Sequence, residues 1–220
     1  MKIVNMSETP SVINQYVSEL RDVNIQQNRM RFRRNLERIG GIMAFEISKS
    51  LSYKETTVQT PLAPCQCQCL ADDIVLATIF RAGLPFHQGF LNVFDKAENA
   101  FVSAFRYYKD KECCDVGVHV QYMASPDLTG KTLILVDSML AKGYSLELAL
   151  VTLLKNGMPR RAIMASVIAS QEGVDYLVKF FGEYKEVELW CAAIDPVLND
   201  HSYIVPGLGD AGDLAFGEKL

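Results

Sequence analysis

The chain has no excess of positive charge: 22 Lys and Arg stand against 26 Asp and Glu, a net charge of −4. Surfaces that neutralise a phosphate backbone carry a clear Lys/Arg surplus, so nucleic acid is not an expected partner. Long apolar runs are also missing. No stretch of about eighteen consecutive apolar residues occurs, which argues against a membrane-spanning helix. The opening MKIVNMSETP lacks the apolar centre of a signal peptide, and a cytoplasmic location is expected. Histidine is scarce: His87, His119 and His201 share no motif and read as structural or solvated. G-x-S-x-G, H-E-x-x-H, a Walker lysine loop and G-x-G-x-x-G are all absent, which weakens hydrolase, zinc-protease, NTPase and dinucleotide-binding readings.

Six cysteines are present, at Cys65, Cys67, Cys69, Cys113, Cys114 and Cys191. In a reducing compartment they are thiols rather than a disulfide framework. The tract C-Q-C-Q-C is too tightly spaced for zinc, whose paired ligands usually have two to four residues between them. Alternation instead puts Cys65, Cys67 and Cys69 on one face of a strand, where packing is the expected role.

About half of the 220 residues are apolar, enough for one large core, and a single domain over 1–220 is expected. Ser11 suits the N-cap of a first helix whose apolar stripe is Val12, Ile13, Tyr16, Val17 and Leu20. A longer helix follows over about 28–51, with Leu36, Ile39, Met43, Ile47 and Leu51 recurring every three or four positions. Arg29, Arg31, Arg33, Arg34 and Arg38 crowd its first turns. They read as a solvated or ion-paired face in preference to an effector site, and cations at a helix N-terminus call for an acidic partner.

Two short β segments around Thr57 and Cys67 precede an apolar strand over 74–80, closed by Arg81, Ala82 and Gly83. Gly83 allows a close backbone approach, and Arg81 places a cation where the strand opens to a ligand. A helix over 85–94 and a hairpin of 100–108 with 116–124 come next, with 109–112 as its tip. The stretch TLILVDSMLAKGYSLELALVTLL then switches from a buried-strand run to a helical stripe across a short polar loop. Asp137 is expected to end that strand. A loop meeting a helix N-terminus attracts an anion such as phosphate, although the same pattern also fits an ordinary βα turn. A strand over 162–169, a helix over 171–181 and a strand over 187–193 continue the rhythm. The fold class expected is α/β, a mostly parallel sheet flanked by helices, with Arg81, Asp137 and Asp195 at the carboxyl ends of its strands. The tail after Ile194 is too rich in Gly, Pro and Asp for core, is poor in helix pattern, and reads as a functional loop.

Five segments together resemble the uracil phosphoribosyltransferase family over nearly the full length. The tail YIVPGLGDAGD, Tyr203 to Asp213, resembles its uracil-recognition loop, and AIDP, from Ala193, the segment before it. Phe80 to Gly83, FRAG, resembles the family's LRAG, and Phe105-Arg106 its second arginine for 5-phosphoribosyl 1-pyrophosphate. Asp137 to Ser145, DSMLAKGYS, resembles the loop DPMLATGGS.

The resemblance implies a phosphoribosyltransferase-like fold with N-terminal helices, a β-hairpin flap and a C-terminal base-recognition loop. It implies transfer of phosphoribose to uracil, giving UMP and pyrophosphate, with Mg²⁺ on the pyrophosphate. Carried over residue by residue, Arg81, Asp137 and Asp210 are catalytic. The phosphoribosyl pyrophosphate is held by Arg81, Arg106, Asp137, Ser138, Met139, Leu140, Ala141, Lys142, Gly143, Tyr144, Ser145 and Asp210. Uracil is held by Tyr203, Ile204, Gly209, Asp210 and Ala211. Mg²⁺ has no direct protein ligand and reaches Asp210 through water. A homodimer or higher homo-oligomer, and a nucleotide effector such as GTP, are further implications.

Three residues depart from the family pattern: Ser138 stands for Pro, Lys142 for Thr and Tyr144 for a small residue, usually Gly. A lost hydroxyl bond to a charged phosphate costs about 1.5–3 kcal/mol, and a positive φ at Tyr144 would add about 1–2 kcal/mol. An active enzyme of pyrimidine salvage and a catalytically weak or inactive paralogue that binds uracil, UMP or another anion in a regulatory or structural role both stay open at this point. Restoring Thr at 142 and Gly at 144 is expected to raise activity.

Overall fold

The computed structural model describes residues 1–108 and 116–219. In chain order the first elements are β1 (Lys2–Asn5), α1 (Val12–Arg21), α2 (Arg29–Ser48), β2 (Tyr53–Gln59), β3 (Pro64–Leu70), β4 (Ile74–Ile79) and α3 (Gly83–Leu91). There follow β5 (Glu98–Tyr108), β6 (Val116–Ala124), β7 (Thr132–Leu140), α4 (Tyr144–Leu153), β8 (Arg161–Ser170), α5 (Gln171–Phe181) and β9 (Val187–Asp195). The tail supplies β10 (Val197–Leu198), β11 (Ile204–Val205) and α6 (Ala211–Phe216).

Seven strands form one sheet in the order β1-β9-β8-β7-β4-β5-β6. Neighbours are parallel from β1 to β5, and only the last pair, β5 with β6, is antiparallel. The central strands are buried on both faces, which is why β4, β7 and β8 read as continuous apolar runs rather than alternating ones. Helices α1, α2 and α3 close one face through Leu20, Leu36, Ile39, Phe86 and Phe90. Helices α4 and α5 close the other through Leu146, Leu150, Val174 and Leu177. The α/β class expected from the sequence is the one observed. Among the described residues, no helix is long and apolar enough to cross a membrane.

Several expectations need correction. The N-terminal segment forms β1, a four-residue strand on the edge of the sheet beside β9. Val12 is 51% exposed and lies off the buried stripe of α1. Strands β2 and β3 stand off as their own two-stranded ribbon, so Cys65 is exposed and Cys67 and Cys69 only half-buried; they share a face but pack in no core. The expected hairpin tip and Cys113 and Cys114 lie outside the described residues.

Four of the five arginines of α2, Arg31, Arg33, Arg34 and Arg38, are engaged within the chain. Arg31 makes a two-pronged bond to Glu19 of α1, at 2.9 and 2.8 Å, and Asn35 Nδ2 donates to the same carboxylate at 2.7 Å. Arg34 pairs with Glu37 at 2.7 Å, and Arg33 donates to the Ala215 carbonyl of α6 at 2.6 Å. Glu19 is therefore the acidic partner that the crowded first turns required.

The hydrogen bonds from Arg31 and then Asn35 outweigh burial and hold Glu19 down to about 2 from its ordinary 4.5. A carboxylate depressed in the folded state stabilises fully above its unfolded pKa and loses that contribution as pH falls through the folded one. Glu19→Gln is expected to cost about 1–3 kcal/mol at neutral pH, with the gap from wild type closing as pH falls from about 4.5 toward 2. Urea midpoints of both proteins across that range check this. A gap that is constant with pH contradicts it.

Candidate active site

The sheet opens between β4 and β7. Their ladder stops at Thr78 opposite Val136, whereas β7 continues along β8 as far as Leu140 opposite Ala169. From β4 the chain runs outward to β5 on one side, then returns and runs to β8 and β9 on the other. Ligands of open parallel sheets bind at such a reversal, beyond the carboxyl ends of the strands. A cleft of about 380 Å³ lies there. Arg81 comes from the end of β4, Ser103 from β5, and Asp137, Ser138, Met139, Ala141 and Ser145 from the β7–α4 unit. The tail contributes Ser202, Tyr203, Ile204, Gly209, Asp210, Ala211, Gly212 and Lys219.

Asp137 does not end its strand. Pairing with β8 carries β7 three residues further, so Asp137 and Ser138 leave the sheet only on the side where β4 has already stopped. Ser138 is 1% exposed, and its Oγ has no hydrogen-bond partner among the described residues. The turn after Leu140 rests on α5: Ser170 Oγ donates to the Ala141 carbonyl at 2.6 Å and accepts the Gly173 amide at 2.9 Å. Gly83, where α3 begins, lies close over β7: a Cβ there would sit 3.3 Å from the Val136 carbonyl oxygen.

The left-handed residue of the loop is Gly143, at φ +88°, and it precedes the first turn of α4. Tyr144 is already helical. Its ring meets Tyr176 of α5 edge-on at 4.8 Å, and the Tyr176 hydroxyl donates to Glu147 at 2.7 Å. Burial, with the Glu147 carboxylate second, pushes the Tyr176 phenol up to about 12. The strain expected at Tyr144 is thus absent, because glycine occupies the position that needs a positive φ. Leu140, Lys142, Gly143 and Tyr144 all stand outside the cleft lining.

The tail corrects a second expectation. Although poor in helix pattern, it ends in α6, whose N-cap is Asp210: its Oδ1 accepts the Asp213 amide at 3.0 Å. Asp213 in turn pairs with Arg81 at 2.7 Å, and Arg81 Nη1 donates to the Gly217 carbonyl at 3.0 Å. Arg81 is therefore aimed along the cleft wall by the segment that carries the proposed base-binding residues. Asp195, expected at the same rim, is 5% exposed and lies outside the lining, bonded to Arg21 and to the Gly207 amide. The Arg106 side chain lies outside the described residues; its backbone sits in β5 opposite Val118.

Asp213, Ser170 and Lys219 escaped the sequence reading. A second Gly-Asp pair two residues after the first was the available signal for Asp213. Ser170 directly before an amphipathic helix was the signal for a cap. Nothing local marks Lys219.

Among the described residues no group of three or more His, Cys, Asp or Glu is arranged to hold a metal ion. The cleft nevertheless offers the Asp137 and Asp210 carboxylates beside Arg81. That set suits Mg²⁺, which prefers one or two carboxylates, water and substrate phosphate to an all-protein cage.

Comparison with known proteins gives a consistent match. The family model described as uracil phosphoribosyltransferase matches residues 7–218. A uracil phosphoribosyltransferase of Porphyromonas gingivalis is 54% identical over 220 residues, covering all of both chains. One from Pyrococcus furiosus is 34% identical, covering 99% of this chain and 91% of its own. A solved Aquifex aeolicus protein superposes with a TM-score of 0.85 at 31% identity, covering 98% of each chain.

Proposed function

This chain belongs to the uracil phosphoribosyltransferase family, and on that premise we propose that its cleft transfers phosphoribose from 5-phosphoribosyl 1-pyrophosphate to uracil, giving UMP and pyrophosphate for pyrimidine salvage. The observation that carries the reading is the meeting of Arg81, Asp137 and the loop residues Ile204, Gly209 and Ala211 around one cleft.

In this reaction the bond from the anomeric carbon to the pyrophosphate oxygen breaks as the bond to uracil N1 forms; the departing pyrophosphate keeps the electron pair, and the N1 proton passes to it or to water. Charge accumulates on the departing pyrophosphate. Arg81, held at the β4 end, supplies a fixed positive charge for it, and Arg106 is assigned the same task from β5. Asp137 accepts from the ribose hydroxyls, and the amides at the cleft-lining positions of the loop, around Ala141 and Ser145, receive the 5′-phosphate. Uracil presents acceptor, donor, acceptor along its edge. Backbone N–H and C=O groups at Ile204, Gly209 and Ala211 supply the complementary order, with Tyr203 beside the ribose and Asp210 on the pyrophosphate side. Bound Mg²⁺ would neutralise pyrophosphate oxygens, with Asp137 and Asp210 as the nearby carboxylates.

The proposal includes a cytoplasmic homodimer or higher homo-oligomer, supported by Met30 and Phe45, which are 64% and 56% exposed on α2. It assigns no effector such as GTP to the arginines of α2, since Arg31, Arg33 and Arg34 have partners within the chain.

The replacements that favoured a silent paralogue, Lys142 and Tyr144, stand outside the cleft lining, and this supports an active enzyme. The double variant Lys142→Thr, Tyr144→Gly is accordingly expected to keep kcat within about threefold of wild type, under 1 kcal/mol of barrier. It should lose about 1–2 kcal/mol of stability from an added helix glycine and a lost aromatic contact. UMP formation and thermal melts measure both. A tenfold gain in rate would show that the native loop is impaired and would overturn the reading of an unimpaired enzyme.

A further inference from the structure

We propose that Arg21 and Asp195 are positioning residues for base recognition: their ion pair fixes the bend that presents Ile204 and Gly209 to uracil. The inference rests on the function proposed above and assigns a task to two side chains that do not line the cleft.

Arg21 is the last residue of α1 and Asp195 the last of β9. Arg21 Nη1 and Nη2 donate to Asp195 Oδ2 and Oδ1, each at 2.7 Å. The same pair then takes both backbone polar groups of one loop residue. Gly207 N–H donates to Asp195 Oδ2 at 2.9 Å, and Arg21 Nη1 donates to the Gly207 carbonyl at 2.9 Å. Gly207 has φ +57°, and a Cβ there would lie 2.0 Å from the Ile204 carbonyl oxygen, so the bend is closed tightly on itself. Ile204, three residues before, and Gly209, two residues after, line the cleft.

Backbone recognition of a planar base depends on where the chain runs, because no side-chain rotation can correct a displaced N–H or C=O. Charge-assisted bonds in a two-pronged arrangement supply both strength and direction. Asp195 is 5% exposed, so water cannot readily replace Arg21 as its partner. Among the described residues, the side-chain bonds of this pair run to each other and to Gly207, and none runs to Arg81 or to residues 138–145 at the opposite end of the cleft. Loss of the pair therefore acts on uracil and spares the phosphoribosyl end.

Arg21→Met, Arg21→Lys and Asp195→Asn test this in steady-state UMP formation with each substrate varied in turn. Lys keeps the charge but cannot hold both Asp195 oxygens and the Gly207 carbonyl, and it carries the test if Arg21→Met does not fold. The uracil KM is expected to rise about ten- to a hundredfold in Met and less in Lys, with kcat at saturating uracil and the KM for 5-phosphoribosyl 1-pyrophosphate within about threefold. Glu19→Gln, which weakens α1 without touching Gly207, should leave the uracil KM unchanged. Equal rises in both KM values, or an unchanged uracil KM in folded variants, would overturn the inference and leave the proposed function standing. A wild-type protein that makes no UMP would overturn both.

Discussion

Arg81→Met is expected to lower kcat/KM for UMP formation by about 10²- to 10³-fold, the cost of deleting one preorganised charge from a site where charge develops. The residue is placed for that role by β4, which ends just before it, and by two bonds to the tail, to Asp213 at 2.7 Å and to the Gly217 carbonyl at 3.0 Å. Both partners leave the guanidinium at the cleft, with 37% of the side chain exposed, and restrict the directions it can take. Arg81→Lys keeps a charge but loses the planar fork, so an intermediate loss of about tenfold is expected. The Asp213 partner is itself about one-third exposed, so water takes over when Arg81 is removed and the melting temperature should move little. Kinetics and melts of the three proteins check the account. An Arg81→Met protein within tenfold of wild type would remove Arg81 from the chemistry.

Asp137→Asn carries the second large effect. The carboxylate sits where β7 has lost β4 as a neighbour but still pairs with β8, so a rigid strand presents it at the cleft. In the proposed complex, two charge-assisted bonds to ribose hydroxyls become weaker bonds to one amide oxygen, and an N–H₂ faces groups that were donating. A loss of about 100-fold in kcat/KM for 5-phosphoribosyl 1-pyrophosphate is expected. The uracil KM should stay within about threefold, since the base is assigned to the tail. Varying each substrate separately shows the split, and an effect confined to uracil would contradict the assignment.

The two site variants and the Arg21 series form a pattern. Phosphoribosyl-end substitutions are expected to change one substrate's parameters and loop-positioning substitutions the other's. General loss of stability changes neither selectively, which is what Glu19→Gln measures.

Elements with a strong period and a cap were legible in the sequence. Helix α5 runs over Gln171–Phe181 as its amphipathic stripe implies, and Ser170, which the stripe alone does not mark, caps it. Helices α1 and α2 start after Ser11 and Asn28, whose side chains accept from the first-turn amides. Strands β4 and β7 announced themselves as unbroken apolar runs. Short elements were not legible, because their stability comes from distant residues. Strand β1 has four residues and pairs with β9 at the far end of the chain. Helix α6 has six, too few for a stripe, and depends on the Asp210 cap and the Arg33 bond to Ala215.

The site was legible as a set of residues and not as a geometry. Arg81, Asp137 and the tail residues were singled out from the sequence, and they meet in one cleft. The sense of Tyr144 depended on which residue takes the left-handed turn, and that follows from β7 extending to Leu140 before the chain bends at Gly143. Asp195 looked like a rim carboxylate from its place at the end of β9. Its bond to Arg21, 174 residues earlier, makes it part of the scaffold of the loop.

Incubating the purified wild-type chain with uracil, 5-phosphoribosyl 1-pyrophosphate and Mg²⁺, and quantifying UMP and pyrophosphate together, tests the central claim most directly. Steady turnover with one pyrophosphate released per UMP is the predicted result. Absence of UMP at high protein concentration, with all three present, would contradict it.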